Sequence, residues 1–493
     1  MPNPKQDYQM FASFWFWAAT MTALRIVVLI LSPANLGPDE AQYWFWSRDL
    51  DFGYFSKPPM IAWAIAATTA IFGNAEWAVR LSAPIFHFGA GSFIYLTAKM
   101  HFDQRTAFWA GIGWLTLPGV ILSSFVITTD APLLFFWSGG LYFLFRIIAR
   151  SANAEGPPRL FDYSGLGVMI GLGLLSKYAM LFFIAALFIS AILSPPVRKA
   201  VLKPGSLVTV LIAASFAATN IYWNAAHDFQ TLSHTAANAN WGASLFQPAK
   251  LASFLTQQFA VAGIIPFAVL LFAAIRWRPP LATRWKMTTL LIFALTPLAI
   301  VATQAFISRA HANWAAAAYP ATILLVTVWL FRQRADAFVK ASIGLHVLFF
   351  VVFCAAITNF TLVDRAGLSS ATQEIRGWRK QTTAIAAMAD GYDAIVIDDR
   401  ALMGAMLYYQ QASPVEIVAI DPNNNVDNHY EAFKAFNPDR HKRVLFVTTR
   451  NDDVHVNYRF ATIKPLGPQT VALGGRASRT YHLFDISDYY GRR

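Results

Sequence analysis

Five short stretches of this chain place ionisable or aromatic polar side chains where they could do acid–base and anion-binding chemistry. In "GPDEAQYWFWSRDL", Asp39 and Tyr43 stand one helical turn apart, with Glu40 beside Asp39. "GYFSKPP" follows and supplies Tyr54 and Lys57 on a loop stiffened by Pro58 and Pro59. "ITTDAP" carries Asp130, and "GLGLLSKYA" carries Lys177, each the only charge in its segment. "ISRAHANWAAAAYP" offers Arg309, His311, Asn313 and Tyr319. A carboxylate and a cation held together could act as general base and anion holder. Each residue alone is more often a capping or snorkelling group. The acids of "DEAQYW" suit the first turn of any helix after Gly37-Pro38, and the aromatic residues suit a membrane surface.

These stretches share a setting. The chain is 56% hydrophobic and only 13% charged, with mean hydropathy +0.42, far from a soluble composition. Apolar runs lie near 11–31, 77–98, 107–127, 131–149, 160–176, 178–193, 205–224, 251–275, 286–306, 313–331 and 342–362. That predicts eleven membrane spans, each long enough for a ~30 Å hydrocarbon core. The run at 59–72 is too short to count as a crossing. On this reading one set of loops carries 16 Lys and Arg and the other only five, which puts the N-terminus in the cytoplasm. The excess of cytoplasmic bases also accounts for the net charge of +12, so no nucleic-acid partner is implied. The first apolar run lacks a cleavage pattern and is expected to remain as an anchor.

Every stretch singled out above then falls at an outward helix end, which suggests convergence on one extracytoplasmic cavity. Residues 363–493 hold 16 Lys/Arg and 15 Asp/Glu and form a separate, near-neutral outward domain after the membrane part, 1–362. Its β-rich runs at 394–397, 416–420, 443–449 and 481–486, with a helix at 400–411, predict a small α/β domain. No catalytic constellation is evident there. Asp398-Asp399 resembles a nucleotide-sugar metal motif, but the domain is expected to face away from nucleotide pools. The one cysteine, Cys354, lies in the last apolar run, so no disulfide is expected.

The stretches "DEAQYW", "GYFSKPPMIAW", "TTDAP", "GLGLLSKY" and "HANWAAAAYP" together resemble the GT-C integral-membrane glycosyltransferases of family 39 type, which include protein O-mannosyltransferases and lipid A aminoarabinose transferases. The likeness covers most of residues 10–360. It implies an α-helical polytopic fold with about eleven transmembrane helices and outward juxtamembrane helices. It further implies a bacterial inner-membrane location, a polyprenyl-phosphate-linked sugar as donor, and lipopolysaccharide or another envelope glycan or glycolipid as acceptor. Asp39 occupies the position of the acid that activates the acceptor, Lys57 that of the cation on the donor phosphate, and Asp130 that of a second acid. Glu40 could share the base role or hold a metal. Lys177 and Arg309 are further phosphate candidates, Lys177 being the nearest to a plain helix-end charge. Tyr43, Tyr54, His311, Asn313 and Tyr319 complete the expected pocket. The chain departs from the aminoarabinose pattern D-E-x-R-Y and Y-F-E-K-P at Gln42 and Ser56. The sugar, and the divalent metal ion that such a Glu would hold, are therefore not carried over. Direct transfer would invert the anomeric centre. The rival readings are a lipid or sugar transporter or flippase, and a polymer ligase using a diphosphate-linked glycan.

Overall fold

A computed structural model describes residues 4–152, 159–239, 242, 245–279, 281–423 and 425–491. Each of the eleven apolar runs falls on helix, but several are not single straight rods. Six helices among the described residues are long and apolar enough to cross a membrane alone: Ser13–Leu31, Asp130–Ser151, Gly205–Ala226, Arg284–Ile307, Ala312–Arg332 and Asp336–Thr358. Counting two bent pairs as one span each raises the number to eight. The difference from eleven has local causes. The run at 251–275 bends by 119° between Pro248–Ala262 and Ile264–Ile275, where Gly263 adopts φ 83°. The run at 107–127 breaks at Leu117, whose extended conformation is the one favoured ahead of a proline, here Pro118. The expected short segment at 59–72 is the helix Met60–Phe72, whose 13 residues reach only about 20 Å.

Two short elements shape one end of the bundle. The helix Pro38–Trp46 starts at a proline in its first turn, with Gly37 as N-cap. The following loop is tied down by neighbouring side chains. The Trp223 indole donates to Asp51 Oδ2 (2.6 Å), Asn220 Nδ2 to the Phe52 carbonyl (2.7 Å) and Thr231 Oγ1 to the Tyr54 carbonyl (2.6 Å). Gly53 is required there, because a Cβ would lie 2.4 Å from the Trp223 ring.

The C-terminal part forms a five-stranded sheet of order β2-β1-β3-β5-β4, from strands Ala394–Ile397 (β1), Glu416–Ala419 (β2), Arg443–Thr448 (β3), Phe460–Gly474 (β4) and Ala477–Tyr489 (β5). β1 runs parallel to both β2 and β3, while β5 runs antiparallel to β3 and β4. Buried Val, Ile, Leu and Phe of β1 and β3 make its centre. Helix Arg400–Tyr409 follows β1 and packs against Pro38–Trp46. Gly404 allows the approach, since a Cβ there would come within 2.8 Å of the Tyr430 hydroxyl and 3.3 Å of Ala41. The loops leaving the carboxyl ends of β1 and β2 thus meet the membrane part, as ligand-bearing loops do in open parallel sheets.

Candidate active site

A cavity of about 570 Å³ lies where helix Pro38–Trp46, the Lys57 loop and the C-terminal domain meet. It gathers Asp39, Tyr43, Lys57, Asp130, Lys177, His311 and Asn313, seven of the eleven residues singled out in the sequence. Asp130 opens the helix Asp130–Ala152 and is almost fully buried. Its Oδ1 accepts from Lys177 Nζ (2.7 Å) and its Oδ2 from Asn313 Nδ2 (2.8 Å). Lys177 is therefore part of the cavity wall and not an isolated helix-end charge. Lys57 is presented by a tight turn in which the Tyr54 amide donates to the Lys57 carbonyl (3.1 Å). Among the described residues its ammonium has no carboxylate partner. Burial and then the charge of Lys177 push it below the usual lysine range, which marks a cation short of an anion.

The other four residues lie elsewhere. Glu40 is buried and accepts from Arg80 Nε (2.7 Å) and Nη2 (2.6 Å), from the Gly37 amide (2.9 Å) and from the Ile127 amide (3.0 Å). A carboxylate so saturated clamps the acidic helix to the segment leading into Asp130, and has no lone pair facing the cavity. Tyr54 stacks on Trp46 and donates to the Asp49 carbonyl (2.9 Å), supporting the Lys57 turn from behind. Arg309 is exposed and does not line the cavity. Tyr319 donates to Gln258 Oε1 and lines an adjoining, mostly apolar cavity of about 380 Å³. That second cavity is walled by Leu117, Val120, Leu134 and Val261, and it shares Thr128, Asp130, His311 and Asn313 with the first.

The C-terminal domain adds residues that the sequence did not single out. Arg400 Nη2 donates to Asp39 Oδ1 (2.8 Å) and Nη1 to Gln42 Oε1 (2.6 Å). Asp427 and Asn428, from the loop after β2, also line the cavity, as does His234 of helix Gln230–Ala239. The only sequence signal for Arg400 was its place after Asp398-Asp399. That pair is engaged within its own domain: Asp399 caps the helix that carries Arg400 by accepting from the Leu402 amide (2.7 Å), while Asp398 accepts from Thr448 Oγ1 (2.8 Å) and pairs with His455 Nδ1 (2.6 Å). Among the described residues no three His, Cys, Asp or Glu side chains stand together as a metal-ligand set. With Ser56 in the cavity wall where the aminoarabinose pattern has Glu, the residues present do not fit a metal.

Lipid A galacturonosyltransferase RgtD of Rhizobium johnstonii is 34% identical over 452 residues, 90% of this chain and 91% of that protein. The chain belongs to the GT-C integral-membrane glycosyltransferases. Residues 56–223 of this glycosyltransferase also match the dolichyl-phosphate-mannose-protein mannosyltransferase family, a stretch that includes Lys57, Asp130 and Lys177. The lipopolysaccharide core galacturonosyltransferase RgtA of the same organism is 32% identical over 162 residues, covering 32% of this chain and 31% of that one. In fold the enzyme resembles apo ArnT from Cupriavidus metallidurans, with a TM-score of 0.63 at 17% identity over 95% of this chain and 97% of that one. The same protein bound to undecaprenyl phosphate gives a TM-score of 0.61. The expected fold class, α-helical membrane part plus C-terminal α/β domain, is the one observed.

Proposed function

We propose that this glycosyltransferase moves one galacturonosyl unit from a polyprenyl monophosphate to a hydroxyl of lipid A or of the lipopolysaccharide core. The observation that carries this reading is the junction of two cavities. The polar one holds an open carboxylate, Asp39, and a cation short of an anion, Lys57; the apolar one suits a polyprenyl chain and meets the first at Asp130 and His311. The name of the relative RgtD supports the sugar and the acceptor. The skew of basic residues between the two sets of loops supports a site turned away from the cytoplasm.

In the reaction, the acceptor hydroxyl oxygen attacks the anomeric carbon as the carbon–oxygen bond to phosphate breaks. The bonding pair leaves on the phosphate oxygen, giving free polyprenyl phosphate, and the acceptor proton passes to Asp39. Arg400 occupies Oδ1 of that carboxylate, which leaves Oδ2 to take the proton. Lys57, with Lys177 behind it, meets the charge that develops on the departing phosphate. Asp130 and Asn313 orient Lys177. A single direct displacement inverts the anomeric centre. Incubating the purified protein with labelled galacturonosyl polyprenyl phosphate and a lipid A acceptor tests the reading: labelled lipid A supports it, and a donor lipid left intact overturns it.

A further inference from the structure

We propose that Arg400, brought to the cavity by the C-terminal domain, is the subsite for the carboxylate of an anionic donor sugar and so determines donor specificity. The inference rests on the glycosyl-transfer reading above and deepens it.

Charge and position argue for it together. Three cations and three carboxylates line the cavity. Lys177 is matched to Asp130. Asp427 is held by Asn423 Nδ2 and Asn425 Nδ2, both at 2.7 Å. Two cations remain to receive the donor: Lys57, which has no carboxylate partner among the described residues, and Arg400, which is only partly used. Arg400 gives one N–H to Asp39 and one to a neutral amide, Gln42, and its remaining N–H groups have no protein partner among the described residues. A planar guanidinium with a free edge matches the two oxygens of a carboxylate better than an ammonium does.

The donor's own connectivity assigns the two. Its phosphate is bonded to the polyprenyl chain, so it must stay near the mouth of the apolar cavity, beside Asp130, Lys177 and Lys57. The far end of the sugar, where a hexuronic acid carries its carboxylate, then points to the C-terminal domain, where Arg400 and Asn428 stand. His234 lies on the same wall but adds no competing charge, because burial, with Lys57 and Arg400 nearby, holds its imidazolium below the usual range. The Arg400 side chain is 42% exposed, so it can change partners without opening a core.

The test compares two donors, galacturonosyl and galactosyl polyprenyl monophosphate, with the full-length protein and a lipid A acceptor. Wild type is expected to favour the uronosyl donor by about 100-fold or more in kcat/KM. Arg400→Gln should lower kcat/KM for both donors, because it also frees Oδ1 of Asp39, but should cost the uronosyl donor about 100-fold more than the galactosyl donor, the extra loss falling chiefly on KM. Arg400→Lys keeps the charge without the fork and should leave an intermediate preference. An equal loss on both donors, or an unchanged ratio in either variant, overturns the assignment of Arg400 while leaving the transferase reading intact. If Arg400→Gln does not fold, the ratio measured for Arg400→Lys decides alone. Wild type that uses neither donor overturns the transferase reading itself.

Discussion

Arg400 and Asp39 are 361 positions apart in sequence, yet the guanidinium of one donates to the carboxylate of the other at 2.8 Å. The bond joins the C-terminal domain to the first membrane loop inside the cavity where transfer is proposed to occur. The C-terminal domain is thereby a wall of the site as well as an appendage to the bundle.

Asp39 and its neighbour Glu40 should respond to substitution in opposite ways. Glu40→Gln leaves the buried Arg80 guanidinium without its charge partner, so it should cost about 3–5 kcal/mol and lower the melting temperature markedly. Asp39→Asn breaks only a half-exposed pair and should cost at most about 1 kcal/mol. Thermal unfolding of the two detergent-purified variants side by side checks this.

Asp130 and Lys177 should behave as one unit. Asp130→Asn and Lys177→Met are each expected to lower transfer by roughly 100-fold, since each leaves the other's charge unmatched beside the donor phosphate. The double variant should be no worse than about the poorer single one, a strong departure from additivity. Rates for wild type, both single variants and the double variant close the cycle; independent, multiplicative losses would show that the pair does not act together.

Much of this was legible in the sequence, and the omissions have physical causes. Local patterns located the long apolar helices, four of the five strands, and the seven cavity residues that sit at or near helix ends. β4 was missed because Pro465, Gly467 and Pro468 read as a breaker, whereas at a sheet edge the chain passes them with a register shift opposite β5. Glu40 was read with Asp39 because adjacency in sequence hides that successive helical residues point about 100° apart, one to the cavity and one to Arg80. Arg400 was missed because its meaning depends on a docking between domains that no local pattern encodes. Arg309 follows the same logic as Lys177 in sequence, yet lies on an exposed turn.

His429 should make the docking of the C-terminal domain acid-sensitive. Its ring is packed among Phe45, Trp46 and Phe433, and burial pushes it down to about 3. The folded value lies below the unfolded value of about 6.5. Stability is therefore full above about pH 6.5 and is lost as pH falls from there toward 3, where the unfolded chain takes up the proton first. His429→Phe should flatten that acid limb. Melting temperatures from pH 8 to pH 4, compared between wild type and His429→Phe, give the answer.

The proposed placement of the C-terminal domain and cavity on the non-cytoplasmic side makes a separate demand on the chain. A reporter that works only outside the cytoplasm, fused after the last described residue, should be active. One that works only in the cytoplasm should be silent; the reverse pattern would invert the proposed orientation.

The role of Asp39 as general base is tested most directly by the transfer rate of Asp39→Asn from purified galacturonosyl polyprenyl phosphate to lipid A in detergent, with donor binding and melting temperature followed on the same sample. The variant is expected to fold, to bind donor lipid within a few-fold of wild type, and to lose turnover by roughly 10²- to 10⁴-fold. A folded, donor-binding Asp39→Asn enzyme that turns over at the wild-type rate would contradict the account.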